Sequence, residues 1–393
     1  MQNTLEMNVA IDAKQLENPP LSTTSLWRAI VFGTVAMLVF LLMPAYVGAL
    51  ATLGFDDSQL GNLASMDLAG ITVACVLALG WIKRVDWRLA GMLAMASLVA
   101  VNLLCAGISD YQTLMGLRFI AGLAGGSGIV LAYTIIAGSS APDRYTGLFV
   151  TIQVLAQSLG FVVAPSLMEN FGVDSFYYLF AALALAALPL LKAFPKRGQD
   201  SRNASAGGES QRSSRLALML VLLSMTLFFT GQGAIWAFGE RIGMAGGLDA
   251  QAVANTLALT AFASLFGAAL SAWMDVRYGR FWPILTAILV QLVALALFTG
   301  EMNAVYFATL FSIFAFSWNF GIAFQVGVVA SMDHGGRFTA LIPAFQGAGL
   351  AIGPSLAGIF LNGGGYFSIN LVSGVALVAY LLFILPFAIH KKN

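Results

Sequence analysis

Charge is what this sequence has least of: 9% of its 393 residues are Asp, Glu, Lys or Arg, against the quarter usual in a soluble domain. That shortfall excludes a soluble globular protein, and 59% apolar residues put the chain in a membrane. Histidine is scarcer still, with only His334 and His390, and cysteine stops at Cys75 and Cys105. No group of Cys and His has metal-ligand spacing, so no metal site is expected. A Walker-type phosphate loop is missing, which leaves ATP-driven pumping without support; no cofactor is implied and nothing points to an enzyme. A net charge of +1 gives no reason to expect nucleic acid. Both cysteines fall inside apolar stretches, where a thiol behaves as a small hydrophobe. Residues 1–26 are polar and mixed in charge, lack the basic start and apolar core of a cleavable signal, and read as a cytosolic tail.

A membrane-crossing helix takes about 20 apolar residues, and twelve such stretches are legible. They lie at 27–50, 59–81, 89–107, 111–136, 146–168 and 176–192, then at 216–239, 252–274, 282–300, 304–330, 338–361 and 368–389. Between the sixth and seventh, residues 193–215 form the only long polar interior segment, rich in Ser, Gly and Arg. The expected organisation is therefore a tail (1–26), a six-helix bundle (27–192), a cytosolic linker (193–215), a second bundle (216–389) and a cytosolic end (390–393). Lysine and arginine are retained on the cytoplasmic side of a membrane. With the amino terminus inside, 17 of the 19 Lys and Arg residues fall in cytosolic segments or at their helix ends. The exceptions are Arg118, within a stretch, and Arg241, outside. Both termini are expected in the cytosol and the protein in the cytoplasmic (inner) membrane.

The halves repeat each other. Arg144-Tyr145-Thr146-Gly147-Leu148 corresponds to Arg337-Phe338-Thr339-Ala340-Leu341, and Gln157-x-x-Gly160-x-x-x-Ala164-Pro165-Ser166-Leu167 to Gln346-x-x-Gly349-x-x-x-Gly353-Pro354-Ser355-Leu356. Twelve spans built as two repeats is the plan of transporters that bind substrate between the repeats near the bilayer midplane. Within the fourth stretch, Arg118, Gly122 and Gly126 recur every four residues and share one helical face. The glycines let another backbone come close. A charge near the bilayer centre costs roughly 2.5–3.5 kcal/mol on insertion scales, so Arg118 requires a partner or a wet cavity.

Arg118-x-x-x-Gly122-x-x-Gly125-Gly126 resembles the fourth-helix motif of the major facilitator superfamily (MFS) of secondary transporters, and Asp275-Val276-Arg277-Tyr278-Gly279-Arg280 is similar, with one extra residue, to the cytosolic-loop signature that latches the family's halves together. After the second stretch, Lys83-Arg84-Val85-Asp86-Trp87-Arg88 departs from that signature. Gly349-x-x-x-Gly353-Pro354-x-x-Ala357-Gly358 resembles the family's antiporter motif, displaced from the fifth helix to the eleventh. The resemblance implies an all-α membrane fold of twelve helices in two pseudo-symmetric bundles, alternating access, and a protein able to act as a monomer among membrane lipid.

The sharpest candidates are the charges inside stretches, Asp67 and Arg118. Both sit about eight residues past the outer ends of their helices, or ~12 Å at 1.5 Å per residue, and so lie at one depth. Three roles remain open for them: proton coupling, a structural ion pair, and capture of an anionic substrate by Arg118. Polar groups in lipid need satisfaction. Gln157 in the fifth stretch, Gln232 and Trp236 in the seventh, Trp318 and Asn319 in the tenth and Gln346 in the eleventh are thus candidates for substrate contact, with interhelical hydrogen bonding as the alternative. The resemblance adds Tyr46 and Tyr133, since it places the first, fourth, seventh and tenth helices around a central cavity. Gly122, Gly126, Pro165, Gly353 and Pro354 are expected at close packing or bends, and Asp275, Arg277, Gly279 and Arg280 at the latch. Glu240-Arg241 reads as a solvated pair closing the seventh helix, an extracellular gate being the alternative. The functional expectation is a proton-coupled transporter of a small organic solute. An efflux antiporter and a non-transporting sensor or scaffold are the rivals.

Overall fold

A computed structural model describes residues 21–196, 215–274, 277–333 and 338–389. Residues 1–20 of the tail, 197–214 of the linker, Asp275, Arg337, both histidines and the 390–393 end lie outside the described residues. Every regular element among the described residues is helical. The first span comes in three pieces, α1 (Thr23–Ala36), α2 (Leu38–Leu41) and α3 (Met43–Ala51). It is followed by α4 (Asp57–Trp81), α5 (Trp87–Cys105), α6 (Tyr111–Ala137), α7 (Pro142–Phe171) and α8 (Asp174–Ala187), the last running into a 3₁₀ turn, Leu188–Ala193. The second half begins with α9 (Arg215–Ala237) and a short rim helix, α10 (Gly239–Ala245). Then come α11 (Ala250–Met274), α12 (Phe281–Leu297), α13 (Ala304–Met332), α14 (Ile342–Gly364) and α15 (Phe367–Ala388). Ten of these helical stretches are long and apolar enough to cross a membrane on their own. With the 17-residue α12 and the segmented first span they make twelve, so both described ends lie on one face, the terminal face, opposite a far face.

Local chemistry sets the helix starts. Four of the six spans that descend from the far face open on a short polar side chain that caps orphan backbone N–H groups, whereas α8 and α15 start at Val173 and Tyr366 without one. Asp56 and Gln59 form a reciprocal capping box on α4 (Gln59 N to Asp56 Oδ1, 2.8 Å; Asp56 N to Gln59 Oε1, 3.1 Å). Asp110 accepts from Thr113 N and Oγ1 at α6, and these bonds hold its carboxyl below the usual carboxylate range. Asp249 and Asn303 cap α11 and α13 in the same way. At the terminal face, Asp86 of the loop that departs from the latch signature caps α5, and Arg88 reaches across to the Phe194 carbonyl (2.6 Å). At the described part of the second latch, Gly279 takes a positive φ of 69°, a turn that favours glycine. Arg280 packs its guanidinium beside Gly327 of α13 and Arg277 lies over the Trp273 ring.

The first span, expected as one continuous helix, is interrupted at Met37 and at Leu42, and the second break follows from Pro44. Proline has no N–H to return to the carbonyl four residues back, here that of Phe40. The helix breaks at Leu42, close to that carbonyl.

Two seams join the halves: α4 packs on α14, and α7 on α11. Small residues bring the first pair into backbone contact. A Cβ on Gly61 would collide with the Pro354 carbonyl, one on Gly358 with the Asp57 carbonyl, and one on Gly347 with Thr72. Inside the first half, α4 and α6 meet the same way: a Cβ on Gly122 would strike the Asp67 carbonyl, and one on Gly126 would lie 2.8 Å from the Ile71 Cα. In the second half, Gly349 and Gly353 of α14 press against the α9 backbone at Thr226 and Thr230.

Candidate functional site

Asp67 and Arg118 meet. The Arg118 Nη2 donates to Asp67 Oδ1 at 2.8 Å and its Nε to Oδ2 at 2.9 Å, a two-pronged ion pair between α4 and α6. The third nitrogen, Nη1, donates to Asn102 Oδ1 of α5 at 3.0 Å and faces the Cys105 sulfur at 3.9 Å. Two tyrosines close the other side. The guanidinium carbon stands 5.3 Å from the Tyr46 ring centre and 5.8 Å from that of Tyr177, and the two hydroxyls are 3.2 Å apart. Relative exposure is 0% for Arg118 and 1% for Asp67, so the pair is sealed inside the first half. The Gly122 and Gly126 approaches hold α4 close to α6, which brings the short Asp67 carboxylate against the Arg118 fork in a bidentate contact. Tyr46, expected at a central cavity, is turned inward among Phe176, Tyr177 and Phe180 of α8. Asn102 and Tyr177 complete the site without having been singled out from sequence.

A second constellation lies where the halves meet. Trp236 of α9 donates its Nε1–H across the seam to the Phe40 carbonyl at 2.9 Å, the acceptor to which Pro44 has no N–H to return. Around it stand Phe40, Phe161, Phe311 and Trp318, with ring centres 6.1–6.4 Å from its own. Trp318 is partly buried, and its Nε1–H has no partner among the described residues. This is an aromatic cluster drawn from four helical segments and both halves, holding one unused hydrogen-bond donor.

The other expected residues are dispersed. Gln232 is fully buried and exchanges two amide hydrogen bonds with Gln291 of α12 (3.1 and 2.9 Å), an interhelical clasp. Asn319 bonds back to the Ala315 carbonyl. Gln157 is buried in α7 and Gln346 partly buried in α14. Tyr133 is 41% exposed near the terminal end of α6, its ring 5.1 Å from that of Phe149. Pro165 and Pro354 lie within α7 and α14.

Toward the far face the seams are closed by polar contacts. Ser355 of α14 donates to Asn62 Oδ1 (2.7 Å) and meets Ser65 (2.8 Å), both on α4. Ser158 of α7 donates to the Ala258 carbonyl of α11 (2.8 Å). Arg241 forms an ion pair with Asp57 (2.8 Å) and donates to the Tyr366 hydroxyl (2.8 Å). Rather than pairing with Glu240 in solvent, Arg241 turns to Asp57 and Tyr366, while the Glu240 carboxyl packs against Gly48 of α3.

Comparison with known proteins agrees with this architecture. A family profile described as Major Facilitator Superfamily matches residues 29–332. No curated protein sequence matches the chain. Among solved structures, the nucleoside transporter NupG superposes with a TM-score of 0.70 at 15% identity, over 94% of this chain and 100% of that one. A point variant of NupG superposes with a TM-score of 0.71 at 13% identity, over 92% and 98%.

Proposed function

The chain belongs to the Major Facilitator Superfamily and is a multi-pass membrane transporter rather than an enzyme, and from that premise we propose that it moves a small organic solute across the cytoplasmic membrane by alternating access, driven by protons through Asp67 and Arg118. Residues 27–192 and 216–389 act as the two rocking bundles, 193–215 as their cytosolic linker, and both termini face the cytosol. The observation that carries this reading is the ion pair itself. A carboxylate and a guanidinium held bidentately at membrane depth, at 1% and 0% exposure, form a costly arrangement. Such groups are retained in membrane spans where they mark ion or proton pathways. Taking a proton on Asp67 releases Arg118 to its tyrosine cage, and giving it up restores the pair. This exchange has two states and links the packing of α4 on α6 to the charge of one group.

The substrate reading rests on the aromatic cluster. Trp236 and Trp318, one N–H spent on the seam and one free, suit a flat, partly apolar solute bearing a hydrogen-bond acceptor. A nucleoside has that chemistry, and the similar solved structure is that of a nucleoside transporter, so nucleosides are the first compounds to try. The full tightness of the Asp67–Arg118 cage favours a second reading, a purely structural pair. The two separate in proteoliposomes. A saturable thermal shift with nucleosides, organic acids, sugars, amino acids or hydrophobic drugs identifies a substrate, because binding to the folded state raises stability by mass action. With that substrate, Asp67→Asn is expected to retain counterflow while losing accumulation driven by a proton gradient. Unchanged accumulation in the variant would leave the pair a structural clamp.

A further inference from the structure

The far-face rim holds a carboxyl group that the buried ion pair does not involve. Glu240 sits in the first turn of α10, beyond the end of span α9. Its side chain crosses the seam and lies on the backbone of α3, where a Cβ on Gly48 would collide with the carboxyl. The neighbouring guanidinium of Arg241 is already engaged by Asp57 and Tyr366. Among the described residues no hydrogen bond reaches the Glu240 carboxyl. The elements packed on α10 offer little else. α3 contributes Tyr46, whose hydroxyl is on Tyr177. α11 carries no ionisable side chain, and the only one on α9 is Arg215 at its opposite end. A carboxylate packed against backbone without a donor is penalised far more heavily than the neutral acid. Accordingly, burial pushes the Glu240 carboxyl up to about 8, against the lowering pull of Arg241.

We propose that Glu240 is a proton-binding site of the far-face gate, distinct from the Asp67–Arg118 pair: the gate closes on the neutral acid, and opening lifts α10 from α3, hydrates the carboxyl and releases its proton to the far compartment. One proton leaves as the O–H bond breaks on opening, and one returns on closing. The closed conformer is the one with the raised value. It is therefore fully favoured below the ordinary carboxylate range and loses that advantage as the far-side pH rises through about 8. The site acts on the gate irrespective of how substrate flux is driven.

The test is the separation of nitroxide labels at Asn170→Cys and Gln251→Cys, at the far ends of α7 and α11, in lipid nanodiscs with Cys75→Ala and Cys105→Ser as background. The closed-to-open ratio is expected to fall roughly tenfold or more between pH 6 and pH 9. Glu240→Gln should stay closed and lose that dependence. Asp57→Asn weakens the ion-paired seal, raises the open population, and should keep the pH response. Glu240→Ala serves if the glutamine variant is not monodisperse, and should likewise lose the response. A pH response surviving in the Glu240 variants, a response of opposite sign, or a gate closed at every pH even in Asp57→Asn would each overturn the proposal.

Discussion

Every nitrogen of the Arg118 guanidinium has a partner, and the partners come from two neighbouring helices, α4 and α5. Removing one member of such a buried pair strands the other charge, at a typical cost of about 3–5 kcal/mol, whereas replacing both with apolar residues is often close to neutral. Arg118→Leu and Asp67→Leu alone are therefore each expected to lower the thermal midpoint in detergent sharply, and the double variant to regain more than half of the loss. At this scale the sequence is readable where a residue breaks its surroundings. Asp67 and Arg118 are charges in apolar runs at matching depth. Asn102 is a single amide among apolar neighbours, and Tyr177 sits beside Tyr178 with nothing in the local pattern to say which ring points inward. Their roles depend on how α5 and α8 are rotated against α6, which no local spacing encodes.

Several helix pairs, α4 with α6, α4 with α14 and α9 with α14, meet through backbone at small residues. At Gly122 a methyl group would strike the Asp67 carbonyl, and at Gly126 it would lie against Ile71 and Ala74. Neither obstacle is a flexible side-chain end. Overpacking of this kind costs about 1–3 kcal/mol, so Gly122→Ala and Gly126→Ala should each destabilise the protein. Gly116, on the same helix and facing open space, should accept alanine without loss, since glycine in a helix interior costs roughly 0.5–1 kcal/mol relative to alanine. Thermal unfolding of the three variants side by side checks this. The four-residue repeat of Arg118, Gly122 and Gly126 foretold the shared face. It did not foretell that Gly347, Gly353 and Gly358 of one helix would serve two partners, the first and last against α4 and the middle one against α9. Tyr46 and Gln232 show the same limit: a polar group on a central helix can point into its own bundle, and both do.

At the scale of the whole molecule, twelve spans, the repeat and the family motif made the architecture legible before any coordinates, because span count and duplication depend on composition and order alone. The state of the gate was not legible, since the same sequence must fold into every conformer of the cycle. Here the far face is the closed one, sealed from Asn62 and Ser355 to Asp57 and Arg241. A disulfide in place of the Asn62–Ser355 contact should hold it shut. The double variant Asn62→Cys, Ser355→Cys is expected to stop transport after mild oxidation and to recover it on reduction, read as substrate counterflow in proteoliposomes. The seam also contains an acceptor bonded from the opposite half. Pro44 has no N–H to return to the Phe40 carbonyl, and the Trp236 indole from the opposite half donates to it. When the halves part, that carbonyl must take water instead, because an unpaired carbonyl costs about 1–3 kcal/mol. Parting the halves at this seam would thus hand the Phe40 carbonyl from an indole to water, making hydration of that one backbone group part of any opening of the far face.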